Sequence, residues 1–339
     1  MVYVTASGQF LPGSPVPNSR IGDHIGRLSR ESERLGTLVL RQNRIRTRHY
    51  AMDAEGHSDW TVATMLAAAM RAALDGAEIG AVEVGYLATA TTQNDIMVPG
   101  LASQVHAALA LPPLEVASMQ SVCASSMMAL KSAWLQLRCG EHRAALVGGG
   151  EFASRYFRPG FYQGTTSMEA DGTLPSDAAF MRWTLSDGAA ALLLESRPAA
   201  RGLSLRIDWI SLRSFADRFA PCMTAGATRD AAGDLLPWSH HAGITEAAAG
   251  GAFQLRQDIA MLHRMLPVWL GEFMRLVDEG LIAPDKVDWF ACHYSAQSLR
   301  EEMIRLATRA GCMIAEEKWF SNLATKGNVG AASIFLILD

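Results

Sequence analysis

The spacing of apolar positions changes abruptly at residue 123. From Leu114 to Val122, small and apolar residues run without helical spacing, which predicts a strand. Beyond it Met127, Leu130, Trp134 and Leu137 recur every three or four positions, predicting a helix over Ala124–Arg138 with one buried face. Ala144–Val147 is apolar again and leads into three glycines, Gly148–Gly150. Cys123 stands at the corner between strand and helix, flanked by the small residues Ser121, Ala124, Ser125 and Ser126.

The rest of the chain alternates in the same way. Strands are predicted over Val2–Leu11, Val82–Thr91, Leu185–Glu195, Leu203–Leu212, Val287–Cys292 and Trp319–Asn322. Helices are predicted over Asp23–Leu38, Ser58–Leu74, Pro99–Ala110, Phe253–Glu279 and Ser295–Ala310. Pro99 suits a first helical turn, and Pro267 predicts a kink or break in the fourth of these helices. Two irregular regions, 151–183 and 213–252, are expected to shape a pocket.

The alternation repeats. A strand at 82 and the turn at Cys123 are matched by a strand at 287 and the turn at Asn328: 328 − 123 and 287 − 82 are both 205. Two strand–helix units in the same order at one shift predict a duplicated α/β fold, with halves at 1–200 and 201–339. In such a pair Cys123 and Asn328 face each other, with His293 at a strand end beside them.

Composition narrows the classes. The chain has 339 residues, 49% hydrophobic and 19% charged, with net charge −4, enough for a sizeable core and no signature of nucleic-acid binding. It has no apolar run long enough to span a membrane and no signal-peptide pattern at Met1–Pro12. Five scattered cysteines argue against a disulfide framework and for a reducing cytoplasm. There is no metal-ligand spacing, and Gly148–Gly150 lacks the context of a dinucleotide loop. No cofactor is expected.

The candidate chemistry rests on three tips. A thiol at a helix start is favoured as thiolate, the nucleophilic form. His293 can move a proton, and the Asn328 amide can hold an oxyanion. Alone, each has a structural reading: a core cysteine, a packed histidine, a turn asparagine. A second cluster, Arg41, Arg44, Arg46 and Arg48, reads as a solvated loop or as a docking site for a phosphate.

The order Cys-Ala-Ser at Cys123, Cys-His at His293 and Lys-Gly-Asn-Val-Gly-Ala-Ala-Ser around Asn328 resembles the ketoacyl-synthase III group of the thiolase fold. Ser186–Ala190 resembles that family's Gly-Asp-Gly-Ala-Gly segment, and Val98-Pro99 takes the place of its dimer-interface Phe-Pro turn. The resemblance implies a layered α-β-α-β-α fold and a homodimer without metal. It also implies acylation of Cys123 from an acyl thioester, then Claisen condensation at His293 and Asn328 with a carrier-bound malonyl or ketoacyl unit. Lys326 and Glu151-Phe152-Ala153-Ser154-Arg155 are most similar to ketosynthases that form dialkylresorcinols and cyclohexanediones.

Two departures qualify the resemblance. The family's Trp before its Arg-Thr-Gly-Ile-Arg turn is absent from Leu38–Arg48, which favours an acyl carrier protein over coenzyme A as donor. The family also continues beyond the position of Asp339 with a final strand pair and a glycine-rich oxyanion turn, so the strands of the second half are expected to be incomplete. A non-decarboxylating cysteine acyltransferase and a catalytically impaired partner subunit remain alternatives.

Overall fold

The computed structural model describes all residues, Met1–Asp339. Strand β1 (Tyr3–Phe10) is followed by the short pair β2 (Val16–Pro17) and β3 (Thr47–Arg48), with α1 (Ile21–Ile25) and α2 (Arg30–Asn43) between them. The single helix expected over Asp23–Leu38 is therefore two. Gly26 at φ 73° ends the first, and the Ser29 hydroxyl starts the second by accepting from the Ser32 N–H. Then come α3 (Val62–Asp75), β4 (Val84–Thr91), α4 (Leu101–Leu109), β5 (Glu115–Gln120), α5 (Ser125–Cys139), β6 (Ala144–Glu151), α6 (Ser176–Thr184) and β7 (Gly188–Glu195).

The second half opens with β8 (Leu205–Arg206), two residues where ten were expected. Small strands β9 (Met223–Thr224), β10 (Ala227–Arg229) and β11 (Leu235–Pro237), with α7 (Ile244–Ala249), occupy the stretch read as loop, and β12 (Arg256–Gln257) takes the start of the helix expected from Phe253. Helix α8 (Ile259–Asp278) runs unbroken through Pro267. It is followed by β13 (Phe290–Ala291), α9 (Gln297–Arg309), β14 (Trp319–Phe320), α10 (Leu323–Lys326) and α11 (Ser333–Leu338).

One sheet has the order β5-β4-β6-β7-β1-β8, and β13 pairs in parallel with β14. Helices α3 and α4 cover one face of the sheet, where Met65, Leu66, Met70 and Val105 pack on Leu87, Leu146 and Leu193. On the other face Leu130, Trp134 and Leu137 of α5 share a core with Phe335 and Leu336 of α11. The β13–β14 ladder lies beyond α11, and α8 covers it through the Phe273–Phe290 contact. The layers run α-β-α-β-α, as expected, and α5 and α11 form the central one. The expected boundary near residue 200 falls in the connection between β7 and β8.

Candidate active site

Cys123 follows β5 and precedes α5, which begins at Ser125. The strand delivers it to the sheet end and the helix holds it there, since the Ser125 N–H donates to Val122 O and Ser126 Oγ donates to Cys123 O. The backbone N–H groups of Cys123 and Ala124 have no acceptor within the chain. They are thus free to meet a developing oxyanion.

Asn328 reaches the same place from the other half. Gly327 precedes it at φ 74°, where a Cβ would lie 2.8 Å from the Ser186 Cβ, so only glycine lets the turn press against β7. Ser186 N donates to Asn328 O at 2.9 Å, and Leu185 and Asn328 form an isolated parallel bridge. The Ser186–Ala190 segment thus positions the asparagine. Its Asp187 is buried and accepts from Ala51 N, Ser154 N and Ser154 Oγ, tying the strand start to two loops.

The Asn328 side chain has a fixed sense. Its Oδ1 accepts from the Gly330 N–H at 3.0 Å and from Ser333 Oγ at 3.3 Å, and His293 Nε2 lies 3.0 Å away. Only oxygen can accept from Gly330, so Nε2 carries the histidine's proton and Asn328 Nδ2 has no acceptor in the chain. Burial pulls the His293 pKa below its ordinary value, against the bond to Asn328. The imidazole is neutral at pH 7, with Nδ1 as its free base.

The sulfur departs from the expectation. Burial pushes the Cys123 thiol up to about 12, and the charge of Glu151 adds to the shift. Desolvation and a neighbouring carboxylate outweigh the partial charge of the helix start, so the resting form is the thiol. Glu151 is the residue whose role the sequence did not show. It ends β6, is 5% exposed, and burial raises its carboxyl to about 7. The available signal was one acidic residue closing an apolar and glycine strand.

Cys123, His293, Asn328, Glu151 and Gly330 line one cavity of about 600 Å³. Of its 34 lining residues 22 are hydrophobic, which suits an acyl chain better than a sugar or nucleotide. Phe152, Tyr156 and Met181 come from the first irregular region, and Phe215, Phe219 and Met223 from the second, as the sequence implied. Helix α8 supplies Leu262, Met265, Leu266, Trp269, Phe273 and Leu276, a wall that was read only as a helix.

The arginines separate. Arg48 is buried and donates to Trp183 O and Asn18 Oδ1, a structural role. Arg41, Arg44 and Arg46 are exposed, Arg44 pairs with Glu301 at 3.0 Å, and none of the three lines the cavity. Lys326 donates to Gln9 Oε1 and also lies outside it. No three His, Cys, Asp or Glu side chains converge as a metal site would require, and no helix is long and apolar enough to cross a membrane.

Comparison with known proteins finds relatives of the same fold. Residues 43–159 match the family described as Thiolase, N-terminal domain. The chain is 27% identical to the beta-ketoacyl-[acyl-carrier-protein] synthase III of Dinoroseobacter shibae, covering 99% of this chain and 88% of that protein. It is 26% identical to the protein of the same name from Rhodospirillum rubrum, with the same coverage. Among solved structures it resembles AbyA1, a tetronic acid condensing enzyme (TM-score 0.76, 24% identity, 100% of this chain and 90% of the other). It also resembles the 3-oxoacyl-(acyl carrier protein) synthase III of Pseudomonas aeruginosa PAO1 (TM-score 0.69, 19% identity, 99% and 87%).

Proposed function

Because this chain is a thiolase-fold condensing enzyme of the ketoacyl-synthase III kind, we propose that Cys123 is its acyl carrier and that His293 and Asn328 serve the second thioester. One observation supports this above all: a single apolar cavity brings together the cysteine of one half and the imidazole and amide of the other. In this reading Cys123 Sγ attacks an acyl thioester and the donor's thiol leaves. The N–H groups of Cys123 and Ala124 stabilise the oxyanion. The second thioester then places its carbonyl at Asn328 Nδ2, and His293 supports its carbanion. Attack on the acyl carbon forms the new carbon–carbon bond and releases Cys123.

The reading extends to the donors. Acyl groups reach Cys123 from an acyl carrier protein or coenzyme A, and a malonyl or ketoacyl thioester is extended, as in fatty acid or polyketide assembly. Exposed Arg41, Arg44 and Arg46 offer an acidic carrier or its phosphopantetheine phosphate a contact face. A homodimer would cover the free edge of β5 and the exposed Ile96, Met97 and Val98.

The test is intact-protein mass spectrometry with acyl-coenzyme A and acyl-carrier donors of several lengths, followed by product analysis after adding malonyl or acetoacetyl carrier. The wild type gains one acyl group, and Cys123→Ala gains none. Asn328→Ala still acylates but loses condensation by ~10²–10³. Unchanged condensation in Asn328→Ala would remove the asparagine from the reaction. An ester or amide product without a new carbon–carbon bond would replace condensation by simple acyl transfer.

A further inference from the structure

Acylation of Cys123 needs an acceptor for its proton, and a helix start does not provide one. We infer that Glu151 takes the Cys123 proton during acylation and returns it to the departing thiol. The inference rests on the proposed role of Cys123 and assigns the group that makes that role workable.

The geometry is that of a locked carboxyl with one free oxygen. Glu151 Oε1 accepts from Thr92 N at 3.0 Å, Thr92 Oγ1 at 2.7 Å and Ala331 N at 3.0 Å. These donors come from the loop after β4 and the turn after Asn328, so the side chain is held from both halves. Its other oxygen, Oε2, makes no hydrogen bond within the chain, although the residue lines the same cavity as Cys123 and its charge acts on the thiol. His293 turns its Nε2–H to Asn328 and keeps only Nδ1 as an acceptor.

The charges around the pair agree. Arg155 is the cation acting on Glu151, but it is itself paired with Asp95 and only partly offsets burial. The carboxyl near 7 is thus able both to accept and to return a proton at neutral pH. Its charge is also what disfavours the thiolate. Moving the proton from sulfur to Glu151 removes that repulsion, and the pair keeps one negative charge throughout.

The step balances. The Cys123 S–H proton passes to Glu151 Oε2 as the S–C bond to the acyl carbon forms. Collapse of the tetrahedral adduct breaks the bond to the donor sulfur, which takes the proton from Glu151. No net proton is consumed.

Glu151→Gln keeps a carbonyl oxygen for the three donors and removes only the base. Two rates are measured on Cys123: acylation by acyl-carrier, acyl-coenzyme A and a simple N-acetylcysteamine thioester, and alkylation by iodoacetamide, which needs thiolate but no base. The expected result is acylation slowed by ~10²–10³ at pH 7 and alkylation accelerated several-fold, because a repelling charge is gone. Acceleration of both would reduce Glu151 to an electrostatic neighbour and overturn the inference, as would no change in either. If the variant does not fold, the wild type still decides. Its acylation should rise with a midpoint near 7 while alkylation rises only at much higher pH, and a shared midpoint would overturn the inference. Acylation by the simple thioester but by neither biological donor would overturn the proposed function, with the glutamate's role still measured.

Discussion

The two halves of the molecule use the same pairing in very different amounts. In the first, β4 and β5 pair Tyr86 with Glu115; in the second, β13 and β14 pair Phe290 with Trp319. The separations, 115 − 86 and 319 − 290, are both 29. The first ladder sits in a six-stranded sheet with β6 beside β4, whereas β13 has no strand on that side. Residues 208–215, which the shift of 205 matches to β1, make no ladder at all. The second half holds His293 and Asn328 in place by leaning on the first, through the Leu185–Asn328 bridge and the Glu151–Ala331 bond. Helix α8 forms a wall of the cavity between the halves.

The largest effect on stability that would sharpen this contrast is at Glu151, at the buried end of the first sheet. Its carboxyl stands at about 7 in the folded chain against 4.5 when free. Between those values the unfolded chain has released a proton that the folded chain still holds, so stability falls as pH rises from about 4.5 to 7. Above that window the loss is complete, on the order of 3 kcal/mol. Glu151→Gln should therefore melt higher than wild type at pH 8 and equally at pH 4. A gap that is the same at both pH values would show that the group titrates normally.

Next comes packing between the halves. A Cβ on Gly149 would lie 2.6 Å from Ala331 O, backbone against backbone. Gly149→Ala should cost ~1–3 kcal/mol and, by pushing away the turn that carries Asn328, impair condensation more than acylation. Equal loss of both would mean that the turn is not held separately from the cysteine.

The smallest expected change is in the open half. Gly271 lies exposed in α8 with nothing within 4 Å of its Cβ position. Gly271→Ala should raise stability by ~0.5–1 kcal/mol, read as a higher midpoint in thermal or urea unfolding with activity unchanged. A loss would mean that this face is covered in solution.

What the sequence made legible follows from where local pattern and tertiary context agree. The strand, turn and helix around Cys123 carry a clear change of period, so the reading and the structure differ there by one or two residues. The shift of 205 brought Cys123, His293 and Asn328 to one cavity, because a duplicated unit repeats its geometry along with its sequence. The break at Gly26 was hidden by apolar spacing that continues across it. Leu203–Leu212 alternates like a strand yet pairs over only two residues, since a strand needs a neighbour that a pattern cannot supply. The protonation of Cys123 was misread for a related reason: the helix start is local, whereas the carboxyl that opposes it arrives from β6, 28 positions later (151 − 123). The acidic residue itself was visible, but nothing in one dimension says that its oxygens meet Thr92 and Ala331.

The carboxyl that spans Thr92 and Ala331 also bears on ancestry. One copy of the repeated unit carries the cysteine and another carries the amide, and neither carries both. A protein made of a single copy would lack part of the proposed reaction centre until two copies met face to face.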